Sequence, residues 1–92
     1  MFTISIKDSK GKVLDVLDCD QDVCTIGRSG KNLVQIKGWR IAATHAELAL
    51  RTDGVHVSDL SGGIGTLVNG EQVTAYGPLS SADDIVIGGF RL

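Results

Sequence analysis

The feature that most constrains this chain is a period of two in its apolar residues, broken repeatedly by glycine. Phe2, Ile4 and Ile6 alternate with Thr3 and Ser5; Leu14 and Val16 flank Asp15; Val55 and Val57 flank His56; Ile85 and Ile87 flank Val86. Successive side chains of a strand point to opposite faces, so this spacing gives each run one inward and one wet face. Between the runs lie Ser9-Lys10-Gly11, Thr52-Asp53-Gly54, Asn69-Gly70 and Gly88-Gly89, residues that accept positive φ or close turns through side-chain bonds. Asn69-Gly70, between Leu67-Val68 and Gln72-Val73, is the strongest hairpin signal. Short strands with turns at this density predict an all-β sandwich or barrel.

One segment dissents. Trp39 to Arg51 contains four alanines and no glycine or proline, and Ile41, His45 and Leu48 fall near a helical stripe. Against that, Ala46, Leu48 and Leu50 alternate with Glu47, Ala49 and Arg51 and run into the turn at Thr52-Asp53-Gly54. Propensity leaves helix and strand nearly tied, with strand slightly ahead.

Ninety-two residues suffice for one core and not two, so residues 1–92 are expected to form a single domain. Nothing approaches the ~18 consecutive apolar residues of a membrane span, and the first strand is too short and too alternating for a signal peptide. Cys19 and Cys24 are too few for a disulfide scaffold, and no clustered Cys or His accompanies them as zinc ligands. They read as buried or half-buried free thiols in a reducing compartment, which points to the cytoplasm. The ending at Phe90-Arg91-Leu92 has no polar tail, as expected if the domain is a module of a longer protein.

The formal net charge of −2 argues against a general nucleic-acid or anionic-lipid binder. Its distribution is uneven. From Gly27 to Ala46 the chain carries Arg28, Lys31, Lys37 and Arg40 and no acid.

Several patterns mimic chemistry without completing it. Asp18-x-Asp20-x-Asp22 opens like a calcium loop, but Val23 and Ser29 stand where that loop needs Gly and a carboxylate; a solvated turn is the better reading. Gly27-Arg28-Ser29-Gly30-Lys31-Asn32 lacks the first glycine and the final Ser/Thr of a phosphate loop, and Gly62-Gly63-Ile64-Gly65 lacks dinucleotide spacing. His45, His56 and Asp59 could join a serine in a triad only without a nucleophile elbow. No catalytic residue, cofactor or metal is expected.

What remains is the grouping of Val23-Cys24-Thr25-Ile26-Gly27-Arg28, Ile41-Ala42-Ala43-Thr44-His45-Ala46-Glu47-Leu48, the run from Val57 through Asp59 and Gly65-Thr66 to Asn69-Gly70, and the closing Leu79 to Gly88. In order and spacing these resemble the forkhead-associated (FHA) domain. The resemblance implies an eleven-stranded β-sandwich of two antiparallel sheets that binds phosphothreonine peptides through loops at one end, and it settles Trp39–Arg51 as strand. It makes Arg28 the phosphopeptide-contacting arginine, whose guanidinium can donate two parallel bonds. Ser29 and Lys31 follow in the same loop as a hydroxyl donor and a point charge. His45 is the histidine that braces the loops. Gly27, Thr66 and the Asn69-Gly70 hairpin are further supports of the loop region.

The departures from the family pattern matter as much. In the element Ser-Arg-x-His, Ala42 replaces the phosphate-binding serine and Ala43 the arginine; in Gly-Ser-x-Asn-Gly-Thr, Ser61-Gly62 replace Gly-Ser and Ile64 replaces the asparagine that bonds the peptide backbone. Thr44, Ser29 and Ser61 are candidate substitute donors. The expected binding surface is therefore Arg28, Ser29, Lys31, Ala42, Thr44, Ser61, Gly62 and Ile64. It belongs to a protein-protein interaction module with a partly degenerate phosphothreonine pocket. The alternatives are a fully functional phosphothreonine reader in kinase signalling and a purely structural assembly domain. The run Lys31 to Leu48, with Tyr76-Gly77-Pro78-Leu79 and Ile87 to Leu92, further resembles FHA domains N-terminal to bacterial type II/IV secretion or pilus-assembly ATPases. That implies a regulatory or docking role beside membrane-associated secretion machinery.

Overall fold

The alternating runs fold as strands. A computed structural model describes residues 2–92, and among them there are eleven strands. They are β1 (Phe2–Lys7), β2 (Val13–Cys19), β3 (Val23–Gly27), β4 (Val34–Gln35), β5 (Ala46–Arg51), β6 (Gly54–Asp59), β7 (Thr66–Val68), β8 (Glu71–Val73), β9 (Ala75–Tyr76), β10 (Ile85–Ile87) and β11 (Phe90–Arg91). One sheet has the order β2-β1-β11-β10-β7-β8 and the other β4-β3-β5-β6-β9.

The core lies between the sheets. Ile4, Ile6, Val68, Ile85 and Ile87 come from the first sheet and Cys24, Ile26, Val34, Leu48 and Val57 from the second, all buried. Their period-two spacing turns these side chains onto one face of each strand. The hairpin predicted at Asn69-Gly70 joins β7 to β8, with φ of 54° and 84° at its two central residues. Positive φ at both positions lets the turn follow the right-handed twist of its strands.

Three expectations are corrected. The sheets are not wholly antiparallel, because β4 pairs with β3 in parallel. The chain beyond Gly27 loops back and re-enters beside the strand it has just left. The strand expected over Trp39–Arg51 begins only at Ala46; Trp39 to Thr44 are loop, bonded through Ile41, Ala42 and Ala43 to Gly38, Arg28 and Ser29, and the chain meets β3 first where the His45 N–H donates to the Ile26 carbonyl at 2.7 Å. Cys19 and Cys24 are buried but not free. They are joined as a disulfide with Cα atoms 6.6 Å apart, linking the edge strand of one sheet to β3 of the other. The cysteine argument for a reducing compartment therefore lapses.

Strand register fixes which loops share an end. Ile26 is level with Ala46 and with Val34, Ala46 with Asp59, and Ile87 with Thr66 and Phe90. The loops 28–33, 36–45, 60–65 and 88–89 consequently leave the sandwich at one end. The turns around Asp20–Asp22, Asp53 and Asn69-Gly70 lie at the other.

Candidate functional site

At the shared end, the 28–33 and 36–45 loops are fastened to each other through backbone. Arg28 N–H donates to the Ala42 carbonyl at 2.9 Å and Ser29 N–H to the Ala43 carbonyl at 3.2 Å. Gly27 makes this approach possible, because a Cβ there would collide with the Ala43 carbonyl and the Asn32 amide. Buried Asn32 completes the junction, its Nδ2 donating to the carbonyls of Ser29 at 2.9 Å and Ala43 at 2.6 Å. Gln35 Nε2 donates to the Arg28 carbonyl at 3.0 Å. With its backbone held on both sides, Arg28 presents an exposed side chain from a fixed point.

His45 ties in the loop 60–65. Its Nδ1 accepts the Ala42 N–H at 3.1 Å, so the ring proton sits on Nε2, which donates to the Gly65 carbonyl at 2.7 Å. The ring is fully buried, and both nitrogens are satisfied, as a buried imidazole requires. Within the third loop, Asp59 Oδ1 accepts from Ser61 N–H at 3.2 Å and from the Thr66 hydroxyl at 3.0 Å, while Ser61 Oγ accepts the Gly65 N–H at 2.7 Å. Burial pushes the Asp59 carboxyl up, but the bonds from Ser61 and Thr66 outweigh it and hold the group below its ordinary value of 3.8. Gly62, Gly63 and Gly65 all take positive φ, a path that side chains would strain.

The structure therefore brings Arg28, Ser29, Ala42 and His45 together with Ser61 and Thr66. Ser29 Oγ is occupied with the Lys31 N–H at 3.3 Å. Lys31, Thr44, Gly62 and Ile64 are exposed, and Ala42 is half-buried. Asn69-Gly70 is not part of the group: it sits at the opposite end, where Asn69 bonds Asp83 and the Asp84 backbone. His56 is likewise remote, paired with Asp53 at 2.7 Å beside the β5–β6 turn. Register thus separates His45 from His56, and the pair offers no triad. A cavity of about 420 Å³ lies between β1 and the 79–83 segment, away from Arg28.

Asn32 and Gln35 escaped the sequence reading. Asn32 shares parity with Val34 and Ile36, both buried, and a polar residue on an inward parity is the signal that could have marked it. Gln35 carries no such mark. Arg28, Lys31, Lys37 and Arg40 are exposed at this end, and none forms an ion pair among the described residues. The arrangement offers a rigid cationic platform able to meet an anionic group on a protein.

Comparison with known proteins agrees with this geometry. The family model described as the FHA domain matches residues 24–88. No curated protein sequence matches the chain. Among solved structures, the Slr1951 protein from Synechocystis sp. is 24% identical with a TM-score of 0.77, over 97% of this chain and 88% of that one. The FhaA FHA domain, solved in complex with the intracellular domain of Rv3910, is 21% identical with a TM-score of 0.82, over 97% and 93% of the two chains. Mycobacterium tuberculosis EmbR, in complex with a low affinity phosphopeptide, is 20% identical with a TM-score of 0.79; 95% of this chain matches 22% of that protein.

Proposed function

The chain belongs to the FHA domain family, and from that premise we propose that its loop end is a protein-interaction site with a partly degenerate phosphothreonine pocket. The observation that carries the reading is Arg28, exposed on a junction braced by Asn32 and His45, while Ala42 and Ile64 stand where the family presents a hydroxyl and an amide. A phosphothreonine carries about −1.5 to −2 charge and three acceptor oxygens. One guanidinium can meet part of that demand and no more. A bond to the charged phosphate contributes about 1.5–3 kcal/mol and a neutral one about 0.5–1.5 kcal/mol, so losing both weakens the ligand by roughly one and a half to three decades.

Arg28, Ser29 and Lys31 form the cationic side of this surface, and Ala42, Thr44, Ser61, Gly62 and Ile64 form its remainder. Gly27, His45 and Thr66 hold it in shape. The phosphopeptide bound to EmbR and the protein domain bound to FhaA support the ligand class. A phosphothreonine ligand, made from ATP, supports a cytoplasmic location. The resemblance of residues 31–48 to modules preceding secretion ATPases supports a docking role in such a machine, as part of a longer protein.

Calorimetry with matched phosphorylated and unphosphorylated threonine peptides tests the reading. Weak binding with modest dependence on the phosphate, partly reduced by Arg28→Ala, is expected. Sub-micromolar binding abolished by dephosphorylation would replace it with a fully functional reader. Partner assembly indifferent to Arg28→Ala would replace it with a structural role.

A further inference from the structure

The same end of the sandwich carries an apolar feature that phosphate recognition does not use. Gly38 to Ile41 form a tight turn, with Ile41 N–H donating to the Gly38 carbonyl at 3.2 Å. The turn is pinned on both flanks, since Ile36 is 4% and Ile41 1% exposed. Gly38 packs closely on Ile41 and Phe90, and Gly88 packs against Ile41 and the Arg40 backbone. Trp39 sits at the turn's apex and is 89% exposed. The Arg40 guanidinium lies 6.0 Å from its ring centroid, within range of a cation–π contact, and exposed Lys37 precedes it.

Trp39 is not alone. Leu33, Leu60 and Ile64, each about half exposed, occupy neighbouring loops of the same end. Register adds the β1–β2 turn to this end as well, because Lys7 is level with Arg91 and Val86; that turn carries exposed Lys10 and Lys12. The acids here, Asp8, Asp15, Glu47 and Asp59, are outnumbered by Lys10, Lys12, Arg28, Lys31, Lys37 and Arg40. The far end is acidic, with Asp20, Asp22, Asp53 and Asp83 on or beside its turns, while Asp84 pairs with Arg91 at 3.8 Å. The fold has thus separated the charge of a chain whose net value is −2.

We propose that this end docks on an anionic phospholipid surface, with Trp39 entering the headgroup region and Lys37, Arg40 and the neighbouring cations facing the lipid phosphates and carboxylates. Tryptophan favours the boundary between hydrocarbon and water. Basic residues are attracted to anionic leaflets, by an amount equivalent to about fivefold in partitioning per cation. Apolar tips on several loops of one sandwich end, ringed by cations, suit a planar interface better than a peptide lying in a groove. The acidic far end would point away from the membrane, so the separated charge also sets orientation. Net charge argued against such a partner; the distribution in three dimensions reverses that argument. The proposal does not depend on phosphothreonine binding.

Trp39 is the single tryptophan, so its emission reports the contact directly. The 92-residue chain is to be mixed with vesicles of equimolar phosphatidylserine and phosphatidylcholine, and separately with phosphatidylcholine alone. A blue shift and co-sedimentation with the anionic vesicles only, both reduced by added salt, are expected. Lys37→Ala and Arg40→Ala should each lower partitioning about fivefold, and Trp39→Ala should lower co-sedimentation further while circular dichroism stays unchanged. No blue shift with anionic vesicles, equal binding to neutral ones, or indifference to Trp39→Ala overturns the proposal. So does a blue shift produced by an acidic or phosphorylated peptide and not by vesicles, which would assign Trp39 to a protein contact.

Discussion

The Nε2 of His45 lies 2.7 Å from the carbonyl oxygen of Gly65, twenty residues further along the chain. On its other side the same ring accepts the Ala42 N–H, so one buried side chain spans two loops that share no strand pairing. Asn32 makes the corresponding link from the first loop to the second. The three loops around Arg28 are a hydrogen-bonded unit, and the exposed guanidinium inherits its position from residues that touch no ligand.

His45→Ala should therefore cost more than a typical core truncation. It leaves a cavity, a buried N–H and a buried carbonyl without partners, a loss of about 3 kcal/mol or more. Urea unfolding measures the loss, and faster amide exchange at Ala42 and in the loop 60–65 should accompany it. An unchanged midpoint would show that the loops do not need the imidazole.

Ala42→Ser and Ile64→Asn should strengthen binding of a phosphothreonine peptide. The serine restores a hydroxyl beside Arg28 and is expected to raise affinity roughly tenfold to a hundredfold, and the asparagine restores a neutral donor on the loop 60–65, for roughly twofold to tenfold. Titration of single and double variants against the same peptide reads the gain. No gain in the double variant would mean that substitute donors already occupy these roles.

Removing the disulfide should cost about 2 kcal/mol, because the loop it closes is short and restricts the unfolded chain only modestly. The double variant Cys19→Ala/Cys24→Ala, compared by urea unfolding, gives the value. Both sulfurs are fully buried, so a dithiol reductant should act slowly in native buffer and rapidly in denaturant. Alkylation followed by mass spectrometry distinguishes the two rates.

Acid should loosen the third loop. The Asp59 carboxyl is held below its ordinary value of 3.8 in the folded chain. A lowered folded value means that its stabilisation is fully present above the ordinary value and lost as pH falls through the lowered one. Amide shifts of Ser61 and Gly65 should be flat from neutrality to about pH 5 and move only below about pH 4. In Asp59→Asn the acid-induced change should vanish. A transition above pH 5 would contradict the assignment.

The alternating runs at Phe2–Ile6, Val55–Val57 and Ile85–Ile87 were legible as strands because side-chain direction in a strand is a local property. The Asn69-Gly70 turn was legible for the same reason, since positive φ is a requirement of two residues and not of their surroundings. Trp39–Arg51 was only half legible. Its alternation from Ala46 onward is local, but Trp39 to Thr44 are loop because Arg28 and Ser29 offer them hydrogen-bond partners from elsewhere in the chain. The disulfide was hidden similarly: nothing in the spacing of Cys19 and Cys24 states that β2 and β3, in different sheets, bring the two sulfurs together.

The sequence by itself determined the strand class, most turn positions and the residues that mark an FHA site, because each depends on neighbours in the chain. Tertiary structure alone decided which charges share an end of the sandwich and how the loops are joined. Coulomb attraction and hydrogen bonding act through space, over distances that strand register sets. A chain of small net negative charge thereby acquires a basic, tryptophan-tipped end and an acidic one.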